Sequence, residues 1–172
     1  MALTLLRHAS LGITHEKRYN GWTDLSIDFS SFDEKKVVIL KRIDFDFVYS
    51  SDLQRCTQTL EMLEIEDYFT DARLREVRFR DEIEGKTFNE VQKLPSYKST
   101  YSEERESWHR YICEEHPALF EERIKSFLAD IPRDKEVLIC SHSGTLQKMM
   151  VFLGYAKHNI DYLEWIRIDN VI

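Results

Sequence analysis

The sequence predicts an α/β domain built on a mostly parallel central sheet. Short apolar segments with strand character occur at 3–6, 45–49 and 136–140. Each is followed by a stretch carrying helical signals, the pattern of strand–helix–strand units. A chain of 172 residues is also long enough for one domain with a sizeable core, expected to run over 1–172.

In chain order, the strand at 3–6 gives way to a helix expected over 30–43. The strand at 45–49 leads into a helix over 52–63, with Ser51 or Asp52 as its N-cap. A weaker strand is expected at 68–74. Residues 86–116 are charged and aromatic, with Tyr97, Tyr101, Trp108 and Tyr111, and carry no strand signal. They read as a helical insertion or lid that Pro95 breaks. A helix over 117–131 is amphipathic, with Leu119, Phe120, Ile124, Phe127 and Leu128 on one face. The strand at 136–140 precedes a helix over 144–153, and 162–168 adds an edge strand.

Hydrophobic residues are 42% of the chain and charged residues 32%, the balance of a globular protein, and the net charge is -7. That sign argues against a nucleic-acid or anionic-membrane partner. It leaves an anionic small substrate open, because local arginines outweigh distant charges screened beyond about 10 Å. Cys56, Cys113 and Cys140 are odd in number and widely spaced, which reads as reduced thiols with no disulfide framework and no zinc site. Arg7 interrupts the first apolar run, and no stretch approaches the roughly 20 apolar residues of a membrane span. A cytoplasmic location is expected, with no cofactor and no metal; no oligomeric state follows from the sequence.

In open α/β sheets, ligands sit outside the carboxyl ends of the strands. The first strand delivers Arg7 and His8 there, and the second leads into Arg55 in the opening turn of a helix. Glu76 follows the third, and the fourth ends on His142 with a helix start behind it. Arginine forks bind phosphate oxygens, a helix N-terminus favours anions, a neutral imidazole can attack phosphorus, and a carboxylic acid can protonate a leaving oxygen. The set fits phosphoryl transfer. Each residue also has a plainer reading: His8 as a surface histidine, His142 as a core one, Arg55 as solvated, Glu76 as part of the charged run through Glu84. Their joint placement favours the site. The five glycines form neither a Walker loop nor a dinucleotide fingerprint, and the order G-x-S-x-G of a serine hydrolase is absent.

These blocks resemble the histidine phosphatase superfamily, also called phosphoglycerate mutase-like. The resemblance rests on Arg7-His8-Ala9, on Arg18 to Asp24, on Ser50 to Thr59, on Leu74-Arg75-Glu76, on Glu84-Gly85 and on Ser141 to Gly144, all in order. It implies a three-layer sandwich, a phosphohistidine at His8, and Glu76 as general acid and then base. It also implies a phosphate held by Arg7, Arg55 and His142, with Thr14, Asn20 and Ser143 as further phosphate-binding residues, and no metal. The substrate it implies is a small phosphorylated metabolite. A phosphohistidine protein phosphatase, a phosphoglycerate-type mutase and a non-catalytic phosphate-binding or scaffolding relative stay as alternatives. The chain is short for the insertions of the mutase branch, which favours a phosphatase. It departs from the family pattern at Ser10, Thr14 and Arg80, and in 112–123, where a Gly-Glu-Ser motif is missing. Those departures bear on the substrate more than on the phosphate pocket.

Overall fold

The structure, a computed structural model, describes residues 2–169. Of the expected domain 1–172, residues 1 and 170–172 lie outside the described residues.

Apolar runs form the central strands, because a strand covered on both faces needs no polar alternation. β1 (Ala2–Arg7) pairs in parallel with β4 (Glu136–Ser141), and β4 in parallel with β2 (Phe47–Ser50). β3 (Phe69–Thr70) extends the sheet beyond β2, and β5 (Trp165–Asp169) runs antiparallel to β1. The five strands lie in the order β3-β2-β4-β1-β5. The expected strands at 3–6, 45–49, 136–140 and 162–168 are all present, with ends displaced by a few residues.

Alternating side chains split the core between the two faces. Leu3, Leu5, Val137 and Ile139 pack with Ile124 and Phe127 of α5 (Pro117–Asp130) and Leu146 and Met149 of α6 (Ser143–Phe152). Leu6, Leu138 and Cys140 face the other way, onto Val37, Leu40, and Cys56 and Leu60 of α2 (Gln54–Met62). Helices thus cover both faces, which gives the three layers.

Four expectations need correction. The helix over 30–43 is broken: only α1 (Glu34–Val37) is α-helical, between 3-10 turns at Phe29–Ser31 and Leu40–Arg42. Asp28 and Asp33 accept from Ser30 N–H and Lys35 N–H, which restarts the chain twice, and the β-branched Val37-Val38-Ile39 run disfavours a longer helix. The strand over 68–74 shrinks to β3, because the Asp71 carboxylate accepts from Arg73 N–H and turns Ala72–Leu74 into a 3-10 helix. α2 begins at Gln54, with Leu53 as N-cap in place of Ser51 or Asp52. On α5, Leu119 is 58% exposed, so the buried face is Phe120, Ile124 and Phe127.

Residues 86–116 contain α3 (Phe88–Val91), closed by a capping box between Thr87 and Glu90, and α4 (Arg105–Ile112). Pro95 lies in the turn between them. The aromatic side chains here pack on one another: Trp108 lies 5.3 Å from Phe88 and 5.7 Å from Tyr111, and Tyr101 stacks on Tyr111 at 4.7 Å.

The register sets up the site. Arg7 lies opposite Ser141, and Ser50 opposite Cys140. The carboxyl ends of three parallel strands are therefore level, and His8, Ser51 and His142 emerge side by side.

Candidate active site

His8 is buried, 4% exposed, and its Nδ1 lies 2.7 Å from the Ala9 carbonyl. A carbonyl only accepts, so Nδ1 carries the hydrogen and the neutral ring keeps its lone pair on Nε2. Burial, then the Arg55 and Arg7 charges, hold His8 well below the ordinary histidine value. The backbone behind it is fixed: His8 N–H donates to Ser141 O at 3.1 Å, and Ala9 N–H to Thr59 Oγ1 at 2.9 Å.

Arg55 is fully buried and has no ion pair among the described residues. Its Nη2 donates to Gly21 O at 2.6 Å and its Nη1 to Thr23 O at 2.9 Å. Its Nε donates to His142 Nδ1 at 3.1 Å. That last bond fixes His142: Nδ1 accepts, so the ring is neutral and its hydrogen sits on Nε2, which donates to Ser51 Oγ at 2.9 Å. Burial, then the charges of Arg55 and neighbouring groups, keep His142 well below the ordinary value as well. Its ring meets His8 edge-on, centroids 5.1 Å apart. The family resemblance implies that His142 helps to hold the phosphate; in the structure its Nδ1 accepts from Arg55 and its Nε2 bonds Ser51.

Arg7 Nη1 donates to Ile160 O at 2.7 Å, and its Nε is buried with no acceptor in the protein. Tyr162, which the sequence reading passed over, carries the Arg7 guanidinium on its ring face at 3.9 Å and lies 5.5 Å from the His8 ring. The next residue, Leu163, takes the left-handed conformation, φ +60°, which is costly for leucine and turns the chain back onto Arg7.

Glu76 reaches the N-terminus of α6, where Gly144 N–H donates to its Oε2 at 2.9 Å; Val77 N–H donates to Oε1 at 2.9 Å. Its carbonyl is held by Trp22 Nε1 at 2.8 Å and Arg123 Nη2 at 2.9 Å. Arg123 is another residue sequence reasoning missed; an arginine beside the apolar face of α5 was its one signal. Glu84 accepts from Gly21 N–H at 2.8 Å and Thr23 N–H at 3.1 Å, which fixes the two carbonyls that hold Arg55. Asp24 accepts from Gln54 N–H at 2.7 Å and caps α2.

The remaining expected residues are placed elsewhere or otherwise engaged. Thr14 is exposed, and its carbonyl accepts from Arg18 Nε at 2.7 Å. Asn20 donates to His15 O at 2.8 Å, while its Oδ1 is buried and unpartnered. Thr14 and Asn20 line a separate small hollow with His15, Arg18 and Gly85. Ser143 opens α6 and accepts from Gln147 Nε2 at 3.0 Å. His8, Arg7, Arg55, Glu76 and His142 are the residues the fold brings together.

The sequence model of the histidine phosphatase superfamily (branch 1) matches residues 3–171. The chain belongs to this superfamily. Phosphatase- or mutase-type chemistry on phosphorylated small molecules is the activity at that level. No curated protein matches the sequence. Solved structures of the same fold include TTHB049 from Thermus thermophilus, with TM-score 0.71 and 24% identity over 99% of this chain and 94% of that one. The α-ribazole phosphatase from Shigella flexneri has TM-score 0.77 and 21% identity over 98% and 90%. At these identities the likeness shows the fold.

In this member of the superfamily a cleft of about 780 Å³ opens beside Glu76 and Gly144, walled by Tyr19, Phe79, Trp108 and Ile112. Among the described residues no helix is long and apolar enough to cross a membrane, and no group of His, Cys, Asp and Glu could hold a metal ion.

Proposed function

We propose that the protein hydrolyses phosphomonoesters of small metabolites through a phosphohistidine at His8. The observation that carries this is the neutral His8 ring, with Nδ1 tied to Ala9 and Nε2 free, lying in the field of Arg7 and Arg55. In the first step the Nε2–P bond forms, the P–O ester bond breaks, and the leaving oxygen takes a proton from Glu76. In the second a water oxygen bonds to phosphorus and gives its proton to Glu76 while the P–N bond breaks. Inorganic phosphate departs and His8 is neutral again. Arg7 and Arg55 bind the phosphoryl oxygens throughout, and His142 positions Arg55. Ser143, at the start of α6, joins the phosphate-binding set; Thr14 and Asn20 act only through the loop they belong to.

Hydrolysis is favoured over mutase chemistry because 172 residues leave little room for insertions that retain a phosphorylated ligand. Nucleotide-like esters, the class for which α-ribazole phosphatase is named, fall within this reading. The test is a panel of phosphorylated metabolites and aryl phosphates, with acid and alkaline quenching of single turnovers. Acid-labile, alkali-stable phosphoryl label that disappears in His8→Ala, with phosphate released, is the expected result. Pure protein that neither labels nor turns over any phosphomonoester sinks the proposal. Phosphoryl groups moved within a ligand without release would make the protein a mutase.

A further inference from the structure

The cleft beside Glu76 has chemistry that phosphate binding alone does not use. Its walls are apolar and aromatic, and its lining includes basic side chains from three segments: Arg105 and the neutral His109 of α4, Lys148 of α6, and Lys157 beyond it. Arg105 and His109 stand four residues apart on one helix face, so both project to the same side. Among the described residues Arg105 and Lys157 form no ion pair, whereas Lys148 pairs with Glu121 at 2.8 Å. The acidic side chains lining the cleft are otherwise engaged: Glu115 with Arg123, Glu106 with Arg110, Glu76 with backbone N–H groups.

We infer that the leaving group of the substrate is a flat, apolar or aromatic body that ends in a second anionic group, read by Arg105, His109 and Lys157. The inference rests on the phosphomonoesterase reading above and names the substrate class of that site. Glu76 lines the cleft, where the ester oxygen would lie, and Arg105, His109 and Lys157 line it as well. A flat body carrying a second anion would stack on Trp108 and Tyr19 and place that anion on the basic side chains. The mutual repulsion of these side chains supports this. Burial and then Arg105, Lys157 and Lys148 depress His109, and burial and then Arg105 and Lys148 depress Lys157, so the group gains from an incoming anion.

Two esters of equal size decide it: para-carboxyphenyl phosphate and its neutral counterpart para-carbamoylphenyl phosphate. At low salt the wild type is expected to prefer the carboxylate about tenfold in kcat/KM, the effect of one charge-assisted contact. In the double variant R105Q/K157Q, whose positions are exposed and tolerant, the preference should fall below about twofold with the neutral ester unaffected. An equal rate for both esters in the wild type, or a preference that survives the double variant, overturns the inference. Calorimetric binding of para-hydroxybenzoate against para-hydroxybenzamide needs no turnover. If neither ester is hydrolysed but the carboxylate binds the wild type and not the variant, the cleft inference stands and the hydrolase reading falls. If there is neither turnover nor selective binding, both fall.

Discussion

Replacing Gly144 by alanine would set a methyl group against the proposed general acid. The added Cβ would collide with Glu76 Oε1 and lie 3.1 Å from both the carboxyl carbon and Oε2. Overlap of this kind costs about 1–3 kcal/mol when the surroundings stay put. Alanine gains about 0.5–1 kcal/mol over glycine inside a helix, so the two effects partly offset. A carboxyl group on rotatable bonds moves more easily than the first turn of α6, which His142 and Leu146 anchor through a 2.9 Å backbone bond. Glu76 therefore swings away and the helix stays. Net destabilisation is expected to be no more than about 2 kcal/mol. The activity change is larger and selective. A displaced general acid forfeits about 10²–10⁴ in rate where the leaving oxygen needs the proton, as in alkyl phosphates. Esters of acidic phenols, which leave without help, should slow by less than about tenfold. The measurements are kcat/KM for Gly144→Ala over a series of leaving groups, and thermal unfolding. A uniform loss across the series would mean general damage to the site. Unchanged rates on alkyl phosphates would remove Glu76 from the acid role.

Other expectations follow from the same geometry. His8 and His142 both sit well below the ordinary value of 6.5, so near and below that pH the unfolded chain binds protons that the native rings refuse. Stability from these rings is fully present above about pH 6.5 and is lost as pH falls toward their native values, at up to about 1.4 kcal/mol per pH unit for each. Denaturant titrations between about pH 5.5 and 7.5 should show that slope, and His142→Gln should shallow it; a flat profile would contradict the buried neutral pair. Glu84→Ala removes the acceptor of Gly21 and Thr23 N–H and should weaken competitive inhibition by phosphate about tenfold, with Glu84→Gln much closer to wild type because its carbonyl still accepts. Arg55→Lys offers one ammonium where three separate nitrogens now bond, so phosphate binding and kcat/KM should fall by at least about 10², and near-normal kinetics would show that a point charge suffices.

The strands and the principal site residues were legible because both rest on short-range patterns. An apolar run ending on Arg7-His8 or Ser141-His142 marks a strand tip whatever surrounds it. The capping of α2 was not legible. Ser51 and Asp52 are good caps by type, but Ser51 serves His142 and Asp52 serves Arg75 at 2.6 Å, so Asp24, thirty positions earlier, does the capping. The broken segment at 30–43 failed for a local reason, since Asp28 and Asp33 compete for N–H groups that a continuous helix needs. Tyr162 and Arg123 were out of reach because their roles come from long-range packing: the first lies on Arg7, the second on the carbonyl of Glu76. Thr14 and Asn20 were drawn toward the phosphate by the motif pattern, while the fold commits the Thr14 carbonyl and the Asn20 amide to their own loop.

The same loop explains how a chain of charge -7 presents cations to an anionic substrate. A guanidinium buried without a carboxylate costs several kcal/mol, and three bonds to neutral acceptors recover part of this. Burial lowers the Arg55 pKa, and nearby Cys56, Glu76, Glu84 and Asp24 partly oppose that shift. None of the three acidic residues forms an ion pair with it, because each carboxylate is occupied by backbone: Glu84 by Gly21 and Thr23, Glu76 by Val77 and Gly144, Asp24 by Gln54. Gly21 permits this arrangement, since a Cβ there would lie 2.7 Å from Glu84 Oε2 and 2.8 Å from Val77 O. Were Glu84 to reach Arg55 directly, the ion pair would cancel the charge that the proposed phosphate contact needs and leave Gly21 and Thr23 unsatisfied. The glycines, the aspartate and the glutamates of these motifs thus keep the acidic groups on the backbone and the arginine charge uncancelled.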